Sequence, residues 1–306
     1  PSAASLDVGN DPVDILTVDL DNNGVQDVVT ANSSSSIVGN SVTVLLGSKT
    51  DKVISFSRVD LNDVEMGPVS IYAGKFDYGD SYNDLAVVNS LSNSITILLN
   101  RLSTAYNPTI NKIVLSNLGV NPIRVKGFNL NSGSDTLGKL DLAILNHDSN
   151  TVRIFYNNEV DTDSDGVFVD NVYAFNTKLN GQTCESYSGE DMNNETTIQL
   201  APNGCSYPTD IFLGDIAGND NIPDIAVVCS NSNKILIYRN SGSTPDGCPD
   251  NSNKPRIKPF TYAATITLPV DNSIPYRIAG ADLDFDTDID LAVLTTANNK
   301  LNIYYN

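Results

Sequence analysis

The sequence contains no tryptophan, one histidine and two methionines among its 306 residues. With a single imidazole, catalysis by a histidine base and histidine-rich metal sites are poor interpretations of this chain. Basic residues are also scarce, because 18 lysines and arginines face 37 aspartates and glutamates, for a net charge of −19. Nucleic acids and acidic membranes are bound through basic patches, so the composition argues against both partners and favours a cation-binding protein.

Long hydrophobic runs are missing as well. No segment approaches the roughly 18 apolar residues that span a bilayer, so we expect no direct insertion into a membrane. The chain begins with Pro1 and shows no signal-peptide pattern. We therefore expect a processed or excised mature region, with any export signal or anchor outside it.

Four cysteines are present, and none of them forms a C-x-x-C pair, which weakens zinc and thioredoxin-like interpretations. Four cysteines allow three disulfide pairings. We favour Cys184–Cys205 with Cys229–Cys248, because each bridge closes a local loop in the least regular part of the chain. Disulfides indicate an oxidising compartment, so we expect a secreted or cell-surface protein.

A repeat covers the whole chain, and it decides the predicted fold. Each unit begins with a proline and an apolar strand, continues through an acidic loop to a segment such as Asp84-Leu-Ala-Val-Val-Asn, and ends with an alternating strand such as Ser94-Ile-Thr-Ile-Leu. The middle segment is continuously apolar, as expected for a strand buried on both faces. Five units follow this plan, and they start at Pro12, Pro68, Pro122, Pro208 and Pro275.

Further β-like runs between the units supply a fourth strand, and four antiparallel strands per repeat are typical of propeller blades. The sequence therefore predicts an all-β fold, a single β-propeller domain of about five blades with little helix. The N-terminal segment resembles the fourth strand and linker before the other units, so we expect it to complete the last blade and close the ring. Insertions are expected near 157–196 and 241–259, and the blade units are 12–60, 68–116, 122–200, 208–268, and 275–306 plus 1–11.

The loop between the first two strands of a unit carries the clearest chemistry. Oxygen ligands fall at positions 1, 3, 5 and 9 of two nine-residue loops, and position 7 is free to give its backbone carbonyl. Calcium takes six to eight oxygens, whereas magnesium demands stricter octahedral geometry and keeps its waters. We predict calcium at both loops, with a solvated acidic turn as the alternative. The predicted ligands are Asp19, Asp21, Asn23, Val25 and Asp27, and Asp282, Asp284, Asp286, Asp288 and Asp290.

The other loops match this pattern less well, and up to five or six calcium sites are open. In the second unit Lys75 stands near the first ligand position, where its ammonium group could replace the cation. A separate acidic run in the third unit is either one more calcium site or a turn that enters the fourth strand. The weaker candidates are Asp77, Asp80 and Asp84; Asn129, Asn131, Asp135 and Asp141; Asp215, Asn219 and Asp224; and Asp161, Asp163 and Asp165.

These motifs resemble the FG-GAP/VCBS repeats of the integrin α-subunit propeller and of its bacterial and fungal relatives. The resemblance spans nearly all of the chain and is best in the first and fifth units, where Gly280-Ala-Asp282 and the following loop match well. It implies structural calcium on one face of a propeller that usually has seven blades. This chain departs from the family in showing five units.

A ligand site is expected on the opposite face, at the loops before the first strand and after the second strand of each unit. Residues two past the proline are polar in every unit, and they form either a polar pocket or a self-neutralising ring of salt bridges. Tyrosines at the edges of loops suit sugar stacking and protein contacts. The candidates are Asp14, Ser70, Arg124, Asp210 and Arg277, with Tyr207, Tyr276, His147 and Asp148 beside them.

Three functions remain open from the sequence. The first is an extracellular recognition or adhesion module for a glycan or protein ligand. The second is a structural subunit of a surface layer, filament or matrix that assembles with itself. The third is a polysaccharide lyase or hydrolase, although no nucleophile elbow, catalytic triad or phosphate loop is visible and no catalytic residue is assigned.

Overall fold

The structure is a computed structural model, and it describes residues 5–34, 40–51, 53–76, 81–100, 112–116, 118–130, 140–155, 197–241, 260–269 and 273–306. Within these ranges the regular structure consists of nineteen β-strands and two short 3₁₀ turns, and there is no α-helix. No helix in this part of the chain is long and apolar enough to cross a membrane.

The strands form five antiparallel sheets, each built from strands that are consecutive in the chain. Sheet 1 contains β1 (Pro12–Val18), β2 (Asp27–Asn32), β3 (Ser41–Thr50) and β4 (Val53–Leu61). Sheet 2 contains β5 (Pro68–Gly74), β6 (Asp84–Asn89), β7 (Ser94–Leu98) and β8 (Lys112–Leu115). Sheet 3 contains β9 (Pro122–Phe128), β10 (Asp141–Asn146), β11 (Thr151–Phe155) and β12 (Thr197–Gln199). Sheet 4 contains β13 (Pro208–Gly214), β14 (Asp224–Cys229), β15 (Lys234–Asn240) and β16 (Phe260–Thr267), and sheet 5 contains β17 (Pro275–Ala281), β18 (Asp290–Thr295) and β19 (Lys300–Tyr304).

A repeated antiparallel sheet with strand order one to four is the blade of a β-propeller, and the predicted all-β propeller class is confirmed. Sheets 1 to 4 have four strands each. Sheet 5 has three strands in the described part of the chain. The predicted insertions near 157–196 and 241–259 lie almost wholly outside the described residues.

The N-terminal segment does not form the strand that was expected to complete the fifth sheet. Residues 5–11 carry no strand, and Gly9 lies against sheet 1, where its N–H donates to Thr43 Oγ1 at 3.1 Å. A Cβ atom on Gly9 would come within 2.6 Å of the Asn32 side chain, so the residue fits this surface only because it lacks one. Completion of sheet 5 by this segment is therefore not observed in the described residues.

The chain divides into two compact units, residues 1–125 and 126–306, and the division falls inside β9. The first unit has a core between sheets 1 and 2, where Val29 and Val44 pack with Ile71 and Leu85. The second unit has the equivalent core between sheets 4 and 5, where Ile235 and Val293 belong to one cluster. The prediction of a single domain remains a prediction.

Asparagine sets the tight turn between the second and third strands. The residue just before the third strand has a left-handed backbone conformation in four sheets, with φ between 50° and 54°. Asparagine tolerates this region better than other residues with a side chain, because its short amide bonds locally with the backbone. The four residues are Asn93, Asn150, Asn233 and Asn299.

The disulfide prediction was wrong. Cys205 is bonded to Cys229, with 5.2 Å between their Cα atoms, so neither Cys184–Cys205 nor Cys229–Cys248 forms. Sheet register explains the pairing, because Pro208 lies opposite Cys229 and brings the residues before β13 to the end of β14. Sequence proximity had suggested bridges within loops, whereas the actual bridge ties a loop to the last residue of a buried strand. Cys184 and Cys248 lie outside the described residues.

Candidate functional site

The acidic loops lie at one end of each sheet, between the first and second strands. In the first loop, one carboxylate oxygen each from Asp19, Asp21 and Asp27 lies within 4.8 Å of the others. Asp27 is fully buried at the start of β2, whereas Asp19 and Asp21 are partly exposed. Burial raises the pKa of Asp27 and outweighs the backbone hydrogen bonds that lower it, and repulsion from Asp21 and Asp19 raises it further. A hard cation held by oxygen ligands suits this donor set.

The other two predicted ligands of this loop, Asn23 and Val25, make hydrogen bonds that stabilise its conformation. Asn23 donates from Nδ2 to Asp21 Oδ2 at 3.0 Å and to the Gly47 carbonyl at 2.8 Å. Its own Oδ1 accepts the Val25 N–H at 2.7 Å. The chain curls through Gly24 at φ 81°, where a residue with a Cβ would be strained. Three of the five predicted positions therefore converge through their carboxylates, and ligation by the Asn23 side chain and the Val25 carbonyl stays a prediction.

The fifth loop repeats this arrangement. Asp282, Asp284 and Asp290 have oxygens within 4.8 Å of one another. Desolvation, with repulsion from Asp286 and Asp290, raises the pKa of Asp284. Asp286 and Asp288 are not part of this group of three carboxylates. Asp286 Oδ1 accepts the Asp288 N–H at 3.0 Å, and Asp288 Oδ1 accepts the Asn219 side chain at 2.8 Å. The residues present fit a calcium ion at both loops, through three carboxylates in each.

The last aspartate of each loop also has a second role that spacing alone did not reveal. Asp27 accepts the Leu20 N–H through Oδ2 and the Gly47 N–H through Oδ1, both at 2.7 Å. It thereby joins the start of the loop to Gly47 on the third strand, β3. Its equivalents accept backbone N–H groups in the same way, and all are buried: Asp84, Asp141, Asp224 and Asp290. The sequence signal for this second role was that an aspartate closes the loop in every unit, including the units whose loops match the calcium pattern poorly.

The fourth loop differs from the two clear loops. Asp215 Oδ2 accepts the Asn221 N–H at 2.6 Å, while Asp215 Oδ1 is buried and has no hydrogen-bond partner. The Asn219 side chain donates a hydrogen bond from Nδ2 to Asp288 Oδ1 of the fifth loop. Asp224 lies close enough for Asp215 to contribute to its raised pKa, after the larger effect of burial. The orphaned oxygen of Asp215 is the feature of this loop that favours a cation.

The second and third loops are described only in part. Asp84 and Asp141 are buried and accept backbone N–H groups, and Asn129 is partly exposed. The remaining candidates lie outside the described residues: Asp77, Asp80, Asn131, Asp135, Asp161, Asp163 and Asp165.

The opposite end of sheets 3 and 4 brings together three predicted ligand residues. His147 and Asp148 follow β10, and His147 Nδ1 lies 2.5 Å from Asp148 Oδ1. The His147 ring meets the Tyr207 ring edge-on, with 3.9 Å between their centroids. Tyr207 donates its N–H to Asn150 Oδ1 at 3.2 Å. These residues are 60 positions apart in the sequence, and only the packing of sheet 4 beside sheet 3 makes them neighbours.

Tyr207 also has an unusual backbone. It precedes the proline of sheet 4 with φ 65°, whereas the same position holds Asp11, Gly67 and Asn121 in sheets 1 to 3. Aspartate, asparagine and glycine accept this conformation readily, and a tyrosine does not. A bulky residue held in such a conformation is a reason to look for a function.

Sheet 5 continues the same edge. Arg277 donates from Nη1 to the Thr209 carbonyl at 3.5 Å, and its guanidinium lies 4.4 Å from the centroid of the Tyr276 ring. Tyr276 is exposed. We name the residues His147, Asp148, Tyr207, Tyr276 and Arg277 the aromatic edge.

Two of the predicted pocket residues, together with Ser70, connect neighbouring sheets. The Asp14 carboxylate accepts the Ile71 N–H at 2.8 Å, and the Asp210 carboxylate accepts the Ile278 N–H at 3.1 Å. Ser70 Oγ accepts the Val125 N–H at 3.4 Å. Arg124 donates to the carbonyl of its neighbour Ile123 at 2.7 Å. Their polarity thus has a structural use, and their role in a pocket stays a prediction.

Comparisons with known proteins add little to this description. No protein-family model matches the chain, and no curated protein matches its sequence. Among solved structures, "BBS1N in complex with ARL6DN, soaked with lead" is 14% identical with a TM-score of 0.43, and it covers 98% of this chain and 81% of that one. The mercury-soaked structure of the same complex is 16% identical with a TM-score of 0.44, over 97% and 80% of the two chains. At these values the likeness defines neither a family nor a function, and the resemblance to FG-GAP/VCBS repeats remains a prediction.

Proposed function

We propose that this protein is a non-catalytic recognition module of the cell exterior, which binds a glycan or a protein through the aromatic edge. The observation that carries the proposal is the contact of His147 with Tyr207 beside Asp148, next to the Tyr276–Arg277 pair. Exposed aromatic rings give a ligand a flat apolar surface, and the carboxylate and the guanidinium offer hydrogen bonds of both kinds around it. This combination suits a sugar, or a peptide with polar and aromatic side chains.

Calcium has a structural role in this proposal. The acidic loops lie at the opposite end of each sheet from the aromatic edge, since they join the first strand to the second at the far end of the pairing. A cation would neutralise Asp19, Asp21 and Asp27, whose mutual repulsion otherwise opposes the closed loop. It would hold the blade without contacting the ligand.

The test is binding to a glycan array and to cell-surface protein extracts, followed by titration calorimetry with each hit. Tyr207→Ala and Tyr276→Ala should each weaken binding at least about tenfold, because an aromatic ring at a contact surface contributes more than about 1.4 kcal/mol. Tyr262→Ala is the matched control, because Tyr262 is similarly exposed but lies on β16 against Tyr238. Equal affinities of the Tyr207→Ala and Tyr262→Ala variants would refute the aromatic edge as the site.

A further inference from the structure

The first and fifth acidic loops have the same local backbone. Gly24 and Thr287 occupy the same position in the two loops, and both are left-handed, with φ of 81° and 83°. The Gly24 N–H donates to Asp19 Oδ2 at 2.9 Å, and the Thr287 N–H donates to Asp282 Oδ2 at 3.1 Å. The two loops can therefore be compared residue by residue.

The residue before this position is an amide in one loop and a carboxylate in the other. Asn23 Oδ1 accepts the Val25 N–H at 2.7 Å, and Asp286 Oδ1 accepts the Asp288 N–H at 3.0 Å. A side-chain oxygen thus has the same backbone partner in both loops. The shared conformation accepts either residue, so an aspartate at position 23 would fit the first loop.

The pair Asn23-Gly24 is also chemically labile. Asparagine is a thermolabile residue, because the nitrogen of the following residue can attack its side-chain carbon, and a glycine without a Cβ hinders this attack least. Both residues are exposed, so water reaches them. The Asp19 carboxylate draws the proton away from the Gly24 nitrogen, and the Val25 N–H polarises the side-chain carbonyl that is attacked.

We propose that Asn23 undergoes spontaneous deamidation and so gives the first loop the donor set of the fifth. The Gly24 nitrogen forms a bond to Asn23 Cγ, the Cγ–Nδ2 bond breaks, and the side-chain nitrogen leaves as ammonia with the proton of the Gly24 N–H. Water then opens the cyclic imide. Attack at Cγ leaves an aspartate, and attack at the backbone carbonyl carbon leaves an isoaspartate. This proposal goes beyond ligand recognition and does not depend on it.

The conversion changes what the loop requires of a cation. Asn23 Nδ2 donates to Asp21 Oδ2 at 3.0 Å and to the Gly47 carbonyl at 2.8 Å. In the aspartate form an oxygen replaces this donor and faces two other oxygens, so their repulsion destabilises the loop when no cation lies nearby. When calcium binds, the additional carboxylate strengthens the binding, because affinity increases with the number of charged ligands. Deamidation therefore makes the stability of this loop depend more on calcium.

A second Asn-Gly pair of the described residues, Asn203-Gly204, is an internal control. The Gly204 N–H donates to the Ala201 carbonyl at 2.9 Å and closes a 3₁₀ turn. Asn203 is half-buried, and its Nδ2 donates to Tyr238 Oη at 2.9 Å. This glycine nitrogen has a peptide carbonyl in place of a carboxylate as its acceptor, and the turn must open before the nitrogen can attack. We expect deamidation to be slower here.

Peptide mapping by mass spectrometry during incubation at neutral pH tests the modification. Digestion at acidic pH avoids conversion during work-up, and the mapping separates these two sites from Asn180-Gly181, which lies outside the described residues. Asn23 should convert at least about tenfold faster than Asn203, which corresponds to a difference of about 1.4 kcal/mol in the activation barrier. Asn23→Gln should stay unmodified, because its longer side chain closes a less favourable ring. Equal rates at the two sites, or an unchanged Asn23 while a synthetic peptide of residues 19–27 deamidates, would overturn the proposal.

The variant Asn23→Asp tests the consequence separately. Its Tm should be lower than that of the wild type in EDTA and should increase more when calcium is added. Asn22→Asp is the matched control, because it adds the same charge at the neighbouring exposed residue, whose Nδ2 donates to Ser81 Oγ and not to Asp21. If the two variants respond equally to calcium, the carboxylate at position 23 has no specific effect on the cation, and this part of the proposal is wrong.

Discussion

Replacing Asp224 by alanine removes an acceptor that three backbone N–H groups share. Asp224 is fully buried, and it accepts the N–H groups of Ile216 at 3.0 Å, Ala217 at 2.6 Å and Asn240 at 2.8 Å. Ile216 and Asn240 are buried, so their N–H groups would have no water to replace the carboxylate. Each buried N–H without an acceptor costs about 1–3 kcal/mol, and relief of the buried charge offsets part of that loss. We expect the free energy of unfolding to fall by about 2–4 kcal/mol.

Urea denaturation in EDTA measures this loss without a contribution from metal. Asp224→Asn is the matched variant, because it keeps the shape and one acceptor oxygen, and it should lose less than Asp224→Ala. An alanine variant as stable as the wild type in EDTA would refute the structural role of this carboxylate. A loss that appears only in calcium would assign Asp224 to a metal site instead.

The same pair of proteins gives a pH dependence with a defined sign. Burial raises the pKa of Asp224 above its unfolded value. The folded chain therefore holds this proton more tightly than the unfolded chain, so the stabilisation is complete below the unfolded pKa and is lost as pH rises through the raised pKa. The stability of the wild type relative to Asp224→Asn should fall as pH increases across that window, and a difference that increases with pH would contradict the assignment.

Three further predictions concern the calcium loops, the disulfide and a side-chain hydrogen bond between sheets. Asp19→Ala and Asp282→Ala should lower the Tm in calcium and change it little in EDTA, and an equal loss in both conditions would count against metal binding. Replacing Cys205 and Cys229 by serine opens a loop with a separation of 24 residues and should cost about 3 kcal/mol in urea denaturation, a loss that the reduced wild type should share. Asn240→Ala removes buried donors to the carbonyls of Leu130 and Pro223 and should cost about 1–3 kcal/mol, whereas unchanged stability would show that these hydrogen bonds are dispensable.

Local pattern was enough to predict most of the strands. A proline, an acidic loop, a continuously apolar segment and an asparagine recur in each unit, and the structure places a strand at each apolar segment. The pattern sufficed because these features act within a few residues: an apolar strand must be buried, and asparagine accepts the left-handed turn before the next strand. The acidic loops were located for the same reason, since ligand spacing is a local property.

Which residues bond to each other across the fold could not be predicted from such local features. Cys205 bonds to Cys229 because the register of β13 with β14 brings them together, and loop length had favoured other pairs. The closing aspartates are hydrogen-bond acceptors for groups as far as 20 residues away, a role that metal spacing conceals.

By itself, then, the sequence determined the repeated strands, the turns and the position of the acidic loops, because neighbouring residues impose these features. Only the tertiary structure decided which side chains meet, such as His147 and Tyr207, and which apolar positions stay exposed, such as Leu301. Both depend on the packing of one sheet against another, and Ile235 and Leu301 show the difference. They occupy the same position in the repeat, but Ile235 is buried in one cluster with Val293 of the next sheet, whereas Leu301 is 63% exposed.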